Sequence, residues 1–172
     1  MFPSYKNVPL GTFEVISGRM AACDPCYKTK DWCRGVLENV KKGTWEACIL
    51  TKDCKQFGLR VVGIKVKHVD ASNPIRIDDT HEAGFHVYVD SGQAGFFDEQ
   101  HYGDNSLIDS YEHAYGEPWY NKCCDITLGE NMGGVLPYGA VSRSGFGDGE
   151  YECRVKTDEN GEIDYARIEF MQ

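Results

Sequence analysis

Alternation of hydrophobic and polar residues dominates this chain and predicts β-strands. In the segment 84–90, Phe85, Val87 and Val89 would share one face, with polar or aromatic residues between them. A period of two is typical of an antiparallel strand that is buried on one side. By this pattern, and by the content of β-branched and aromatic residues, we predict strands over 11–23, 44–51, 59–69, 84–90, 134–142, 150–157 and 163–170.

Two segments show helical spacing instead. Trp32, Val36, Leu37 and Val40 predict a short helix over 31–40. The segment 105–124 is the main helix candidate, and we expect Pro118 to end its first part. Its aromatic residues would pack in the core or bind a partner; they are Tyr111, Tyr115, Trp119 and Tyr120.

The chain therefore reads as one mainly β (α+β) domain over residues 1–172. We expect a curved antiparallel sheet or a β-sandwich with one or two covering helices. The sequence Asp158-Glu159-Asn160-Gly161 predicts a hairpin turn between the last two strands, because Asn-Gly adopts positive φ at low cost.

Charge narrows the classes of function. The 172 residues include 18 Lys and Arg against 27 Asp and Glu, a formal net charge of −9. Nucleic-acid binding is therefore not expected, since it needs clustered positive charge. No apolar run is long enough to span a membrane, and no secretory signal is present, so a cytoplasmic location and no membrane association are expected.

Cysteine is abundant and leaves three interpretations open. The eight residues are Cys23, Cys26, Cys33, Cys48, Cys54, Cys123, Cys124 and Cys153. Free, structural thiols are the main expectation, with no metal and no cofactor. Cys23, Cys26 and Cys33 have partial zinc-ligand spacing, and Cys23-x-x-Cys26 has the spacing of a redox pair.

Two glycine-rich segments carry the candidate ligand-binding residues. The segment 142–151 reads Ser-Arg-Ser-Gly-Phe-Gly-Asp-Gly-Glu-Tyr, and the segment 89–98 reads Val-Asp-Ser-Gly-Gln-Ala-Gly-Phe-Phe-Asp. Glycine-flanked amides can hold an anion, and converging carboxylates can bind a cation or act as acid and base. The predicted ligand-binding set is Asp90, Gln93, Asp98, Ser144, Asp148 and Tyr151. The alternative is that both segments are only turns.

Together with the opening Ser17-Gly18…Asp24-Pro25, these segments resemble the DUF4241 family of uncharacterised bacterial proteins. The resemblance covers about residues 11–170, and it implies a bacterial origin but no established activity. The cysteine-rich opening departs from the family pattern as we know it.

The sequence favours a non-enzymatic binding module for a protein partner or a small-molecule ligand. One alternative is a hydrolase-like enzyme that uses the carboxylates of Asp90, Asp98 and Asp148. A second is a zinc protein with cysteine ligands. Whether the chain is an enzyme stays open.

Overall fold

Two antiparallel β-sheets form most of the structure, a computed structural model that describes residues 4–109 and 116–171. The strands, in chain order, are β1 Lys6–Val15, β2 Met20–Cys23, β3 Gly35–Leu37, β4 Gly43–Asp53, β5 Leu59–His68, β6 His81–Val89, β7 Gln93–Asp98, β8 Gly133–Leu136, β9 Gly139–Arg143, β10 Gly149–Thr157 and β11 Ile163–Glu169. The helix α1 spans Pro118–Leu128, and single 3₁₀ turns span Lys55–Phe57, Ile77–Asp79, Glu99–His101 and Asn105–Leu107.

The main core lies between the two sheets. The first sheet has the order β1-β4-β5-β11-β10-β6, and the second has the order β3-β2-β7-β9-β8. Trp45 and Ile64 of the first sheet and Met20 and Phe96 of the second are fully buried in one hydrophobic cluster. The sheets do not close into a barrel. The predicted mainly β architecture is therefore confirmed.

A second, smaller core lies between the second sheet and helix α1. Strand β7 is buried along its whole length. Because successive side chains point to opposite faces of a strand, Phe96 enters the main core and Phe97 enters the second one. Trp119 of α1 packs against Phe97, with ring centroids 5.1 Å apart. This second core is the base of the site described below.

Most predicted strands are confirmed, and so is the final hairpin. The segments 44–51, 59–69, 84–90, 150–157 and 163–170 correspond to β4, β5, β6, β10 and β11. Strands β10 and β11 pair in antiparallel register around the Asp158–Gly161 turn. Asp158 accepts hydrogen bonds from the backbone N–H groups of Asn160 and Glu162, which stabilises this turn.

The helix predicted over 31–40 is wrong. This segment contains β3, in which Val36 pairs with Ala21 of β2. Trp32, which the helical spacing placed on the buried face, is 86 % exposed. A Cβ atom at Gly35 would lie 2.1 Å from the ring of Phe85, so close strand packing replaces local helical preference here.

The long helix predicted over 105–124 is also wrong in its limits. The chain makes only a 3₁₀ turn at Asn105–Leu107, and α1 begins at Pro118 rather than ending near it. Proline is favoured at the first helical position, because the N–H that it lacks has no intrahelical partner there. Residues 110–115, with Tyr111 and Tyr115, lie outside the described residues.

Two predicted strands are each divided in two. The segment 11–23 turns between Val15 and Met20, so that β1 and β2 belong to different sheets. The segment 134–142 forms the β8–β9 hairpin, which turns at Pro137 and Tyr138. Proline cannot donate a ladder hydrogen bond, which explains the break at residue 137.

Candidate ligand-binding site

The two glycine-rich segments meet in the structure. The backbone N–H of Ser144 donates to the carbonyl of Gly92 at 3.1 Å. In return, the N–H of Gly92 donates to the carboxylate of Asp148, also at 3.1 Å. The turn after β6 and the loop before β10 are thus joined by reciprocal hydrogen bonds.

The polar side chains of the second loop mainly bind that loop. The hydroxyl of Ser144 donates to the carbonyl of Gly147 at 3.0 Å, and the hydroxyl of Tyr151 donates to the same carbonyl at 2.6 Å. Gly145 and Gly147 have backbone φ angles of +62° and +117°, which residues with a side chain rarely adopt. These contacts are those of a well-formed turn.

Asp98 lies at the opposite end of β7 from Gln93. Five residue-to-residue steps along the extended strand separate them, which is about 17 Å at the usual rise per residue. The buried carboxylate of Asp98 accepts hydrogen bonds from the N–H groups of Ile16 and Ser17 and from the Ser17 hydroxyl. It therefore holds the turn between β1 and β2, and the structure does not bring it to the other five predicted residues.

Asp90 and Gln93 lie near one another but in different surroundings. The side chain of Asp90 is exposed. Gln93 is buried, where its amide donates to the sulfur of Cys124 at 3.4 Å and accepts from the hydroxyl of Thr127 at 3.2 Å. Gln93 therefore links β7 to helix α1. The six-residue ligand-binding set as a whole stays a prediction.

Sequence reasoning missed Asp24, a fully buried carboxylate beside this junction. It accepts four hydrogen bonds: from the N–H groups of Cys26, Asp90 and Ser91, and from the Ser91 hydroxyl, at 2.6–2.9 Å. The bond to Cys26, two residues on, is that of an Asx-turn. The available signal was the Asp24-Pro25 pair after the predicted strand 11–23, which entered above only as part of the family resemblance.

A cleft opens between the Pro25–Thr29 loop, which follows Asp24 in the chain, and the start of α1. Its volume is about 380 Å³. The side chains of Tyr27, Tyr102, Trp119 and Tyr120 form its aromatic walls, and Cys26, Lys28 and Glu117 also line it. We call this the aromatic cleft.

A buried ion pair holds the loop side of the aromatic cleft. Arg34 forms a two-pronged contact with Glu99, and the two side chains are only 5 % and 14 % exposed. The guanidinium carbon of Arg34 lies 4.7 Å from the ring centroid of Tyr102. The Tyr102 hydroxyl donates to the carbonyl of Tyr27 at 2.5 Å. The loop is therefore fixed to the second sheet.

Asn105 holds the helix side of the aromatic cleft. Its amide donates to the Glu117 carboxylate at 2.7 Å, and its carbonyl oxygen accepts from the backbone N–H of Trp119 at 3.0 Å. That N–H lies in the first turn of α1, where no intrahelical acceptor exists. Asn105 thus caps α1 from a turn that lies twelve residues before Glu117.

One thiol and two phenol groups of the cleft favour their neutral forms. Burial raises the pKa of the Cys26 thiol, and the charge of Asp24 raises it further. Burial likewise raises the pKa of Tyr27 and of Tyr120, and the charge of Asp24 adds to both. A nucleophilic cysteine needs a lowered pKa, so Cys26 is not an activated thiolate.

The thiols show neither of the special arrangements that their spacing suggested. All eight cysteines are free. Burial raises the pKa of Cys23 to about 12, the opposite of what a redox pair requires. Within residues 4–109 and 116–171, no group of three or more His, Cys, Asp or Glu side chains is placed to hold a metal ion.

A larger groove, of about 640 Å³, runs along the edge of the first sheet. Its walls include exposed side chains, among them those of Ser4, Lys6, Asp53 and Glu130. We place the candidate site in the smaller aromatic cleft, since that cleft has aromatic walls, of which Tyr102 and Trp119 are buried, and fixed sides.

The fold and the cleft define a two-sheet β protein with one α-helix among its described residues. The chain belongs to the DUF4241 family, described as "Protein of unknown function (DUF4241)", whose model matches residues 13–165. No curated protein and no solved structure is significantly similar to it. No helix in the described part of the chain has the length and apolar character needed to cross a membrane.

Proposed function

We propose that this protein is a binding module that takes a small organic molecule in the aromatic cleft. The observation that carries this proposal is the cleft itself: about 380 Å³, walled by Tyr27, Tyr102, Trp119 and Tyr120. Small-molecule sites are concave, mostly apolar, and typically 300–1,000 Å³ in volume. Fixed walls reduce the entropy that binding would otherwise cost.

The walls favour a compact ligand with a planar or methyl-rich body. Trp119 is anchored from behind by Phe97 and by Tyr102, whose ring centroids lie 5.1 Å and 4.8 Å from its own. Aromatic faces of this kind contribute large contact area at little cost in side-chain freedom. Lys28 and Glu117 at the rim would orient polar groups of the ligand.

The enzyme alternative gains no support from the geometry. It needs the carboxylates of Asp90, Asp98 and Asp148 in one place, whereas Asp98 binds the Ile16–Ser17 turn at the far end of β7. Asp148 accepts from the backbone of Gly92. The raised pKa of Cys26 removes the obvious nucleophile at the cleft. A binding role uses the same residues without requiring reactivity.

A fragment screen by NMR, with chemically mixed small molecules, tests this proposal. We expect hits whose affinity falls at least tenfold in Tyr27→Leu or Tyr120→Leu. Both side chains are only partly buried, and the Tyr27 carbonyl that Tyr102 binds is retained. Tyr88→Leu is the matched control, since Tyr88 is a partly buried tyrosine on β6 that does not line the cleft. Hits that are unaffected by the cleft variants, or a screen without hits, would overturn the proposal.

Three further expectations concern where this protein occurs and what it contacts. A bacterial origin, a cytoplasmic location and a protein partner remain predictions from the sequence. Trp32 is an exposed apolar side chain. Phe57 and Phe146 form a separate exposed pair, with ring centroids 5.7 Å apart. Nothing in the structure shows what would cover them, so the small-molecule role is the one we propose.

A further inference from the structure

We infer that the ligand of the aromatic cleft is an organic cation whose charged end is a methylated ammonium group. This inference rests on the proposed function and specifies its ligand class. It is drawn from three features of the described residues: the aromatic walls, the charges around the cleft, and the buried carboxylate of Asp24.

The aromatic walls suit a soft cation. The face of an aromatic ring carries negative charge density and attracts an ammonium group within about 6 Å, most strongly when water is excluded. The same cluster already holds one cation in this way, because Arg34 lies over Tyr102 at 4.7 Å. That contact occupies one face of Tyr102 and leaves Tyr27, Trp119 and Tyr120 as the walls open to a ligand.

The charges around the cleft leave the buried carboxylate of Asp24 without an oppositely charged partner. The charge of Arg34 is neutralised by Glu99, and at the rim Lys28 and Glu117 have opposite charges. Asp24 is fully buried and is held by N–H and O–H donors alone. No ion pair joins it to a Lys, Arg or His among the described residues.

The field of Asp24 reaches the cleft walls. Its negative charge is one of the causes, after burial, that raise the pKa of Cys26, Tyr27 and Tyr120. The charge of the exposed Asp90 acts in the same direction on Cys26 and Tyr27. Apart from burial, the negative potential of these two carboxylates at the cleft would attract a positively charged ligand.

Choline and its neutral isostere 3,3-dimethylbutan-1-ol, which has carbon in place of the ammonium nitrogen, separate charge from shape. We expect choline to bind at least tenfold more tightly to the unmodified protein in an NMR titration at low salt. The difference should shrink as salt is added, because the rim is exposed to solvent.

Two substitutions test the source of the preference without disturbing the buried network. Asp90→Asn keeps the backbone N–H that binds Asp24, and Glu117→Gln keeps an acceptor for Asn105. We expect each to weaken choline binding two- to threefold and to leave the neutral isostere unchanged. Glu159→Gln, at the exposed tip of the β10–β11 hairpin, is the matched control and should change neither.

The outcomes distinguish this inference from the proposed function. If the neutral isostere binds the cleft as tightly as choline, the cleft is a ligand site but the inference of a cation is wrong. If neither probe binds while the fragment screen gives neutral hits in the cleft, the inference is again wrong and the proposed function stands. Binding of choline that survives Tyr27→Leu and Tyr120→Leu overturns both for this site.

Discussion

Asp24 and Asp98 are two buried carboxylates with the same local chemistry and different surroundings. Each is fully buried and holds a chain turn by accepting backbone N–H groups and a serine hydroxyl. Asp98 is the closing residue of β7, and neither aspartate lines any of the larger cavities of the described residues. Asp24 differs in that it directly precedes the Pro25–Thr29 loop and accepts a hydrogen bond from the N–H of Cys26, which lines the aromatic cleft.

The difference shows that a buried carboxylate does not by itself make a site. Burial of a charge is costly unless hydrogen bonds compensate, and both aspartates have that compensation. What distinguishes Asp24 is the neighbouring space, walled by Tyr27 and Tyr120 and reached by its electric field. The residues around Asp24 therefore support a ligand-binding role, whereas those around Asp98 support only a structural one.

Removal of either carboxylate gives the largest expected effect, and the same effect. Asp24→Ala and Asp98→Ala each leave several buried donors without an acceptor, at roughly 1–3 kcal/mol per donor. We expect the free energy of unfolding in urea to fall by about 4 kcal/mol in both. A loss below about 1 kcal/mol for Asp98→Ala would contradict its assignment as a structural anchor.

Glu99→Gln distinguishes the role of Glu99 from that of the preceding residue, Asp98. Glu99 follows Asp98 in the chain, yet its partner Arg34 supports the aromatic cleft. Removing one charge of a buried pair leaves the other uncompensated, which costs about 3 kcal/mol. We expect that loss in urea unfolding, together with weaker binding of any ligand of the cleft. Unchanged binding would mean that the cleft does not depend on this pair.

The buried thiols of Cys23 and Cys153, one in each core, should make the stability of the fold depend on pH. Burial raises the pKa of Cys23 and of Cys153 to about 12, above the ordinary value of 9.0. Below pH 9 both thiols are protonated in the folded and in the unfolded chain, and the folded state has its full stability. This stability is lost as the pH rises from about 9 to 12, because the thiols then ionise in the unfolded chain first. Each thiol lowers the free energy of unfolding by up to about 1.4 kcal/mol per pH unit in that range.

Cys23→Ala and Cys153→Ala check this under reducing conditions. Cys23 lies beside Asp24 in the second core, whereas Cys153 lies in the main core. Each variant should show a shallower decrease of stability above pH 9 in urea unfolding. Slopes identical to that of the unmodified protein would show that these thiols ionise as freely in the folded chain as in the unfolded one.

The smallest effect is expected at Asp148. Its carboxylate is exposed and accepts one hydrogen bond, from the N–H of Gly92. Asp148→Asn keeps an oxygen acceptor, so the free energy of unfolding should fall by less than about 1 kcal/mol. Ligand affinity in the aromatic cleft should not change. A large loss of affinity would instead favour the ligand-binding set predicted from the sequence.

Local pattern predicted the strands well because their burial repeats along the chain. Val87 and Val89 alternate with exposed or half-buried residues as expected, and the Asn160-Gly161 turn forms where the sequence places it. The predictions failed where distant contacts decide the local conformation. Gly35 forms a strand because Phe85 lies against it, and Pro118 begins a helix whose first turn is capped by Asn105.

The candidate site was harder to predict than the fold. The sequence left open whether the two glycine-rich segments meet; Gly92 joins them through its bonds with Ser144 and Asp148, while the predicted ligand-binding set stays a prediction. The aromatic cleft was not predicted, because its walls come from the Pro25–Thr29 loop, Tyr102 and α1, which are far apart in sequence. Trp119 and Tyr120 were noticed, but only as members of a longer helical stripe.

The most direct test is a map of backbone amide chemical-shift changes on titration with choline. The account predicts saturable shifts around the aromatic cleft, at Cys26, Tyr27, Ser91, Trp119 and Tyr120. It predicts no shifts at Ile16, Ser17 and Asp98, the matching network without a cleft. Shifts centred on the Asp98 network, or spread evenly over acidic surface residues, would contradict the assignment of the aromatic cleft as the binding site.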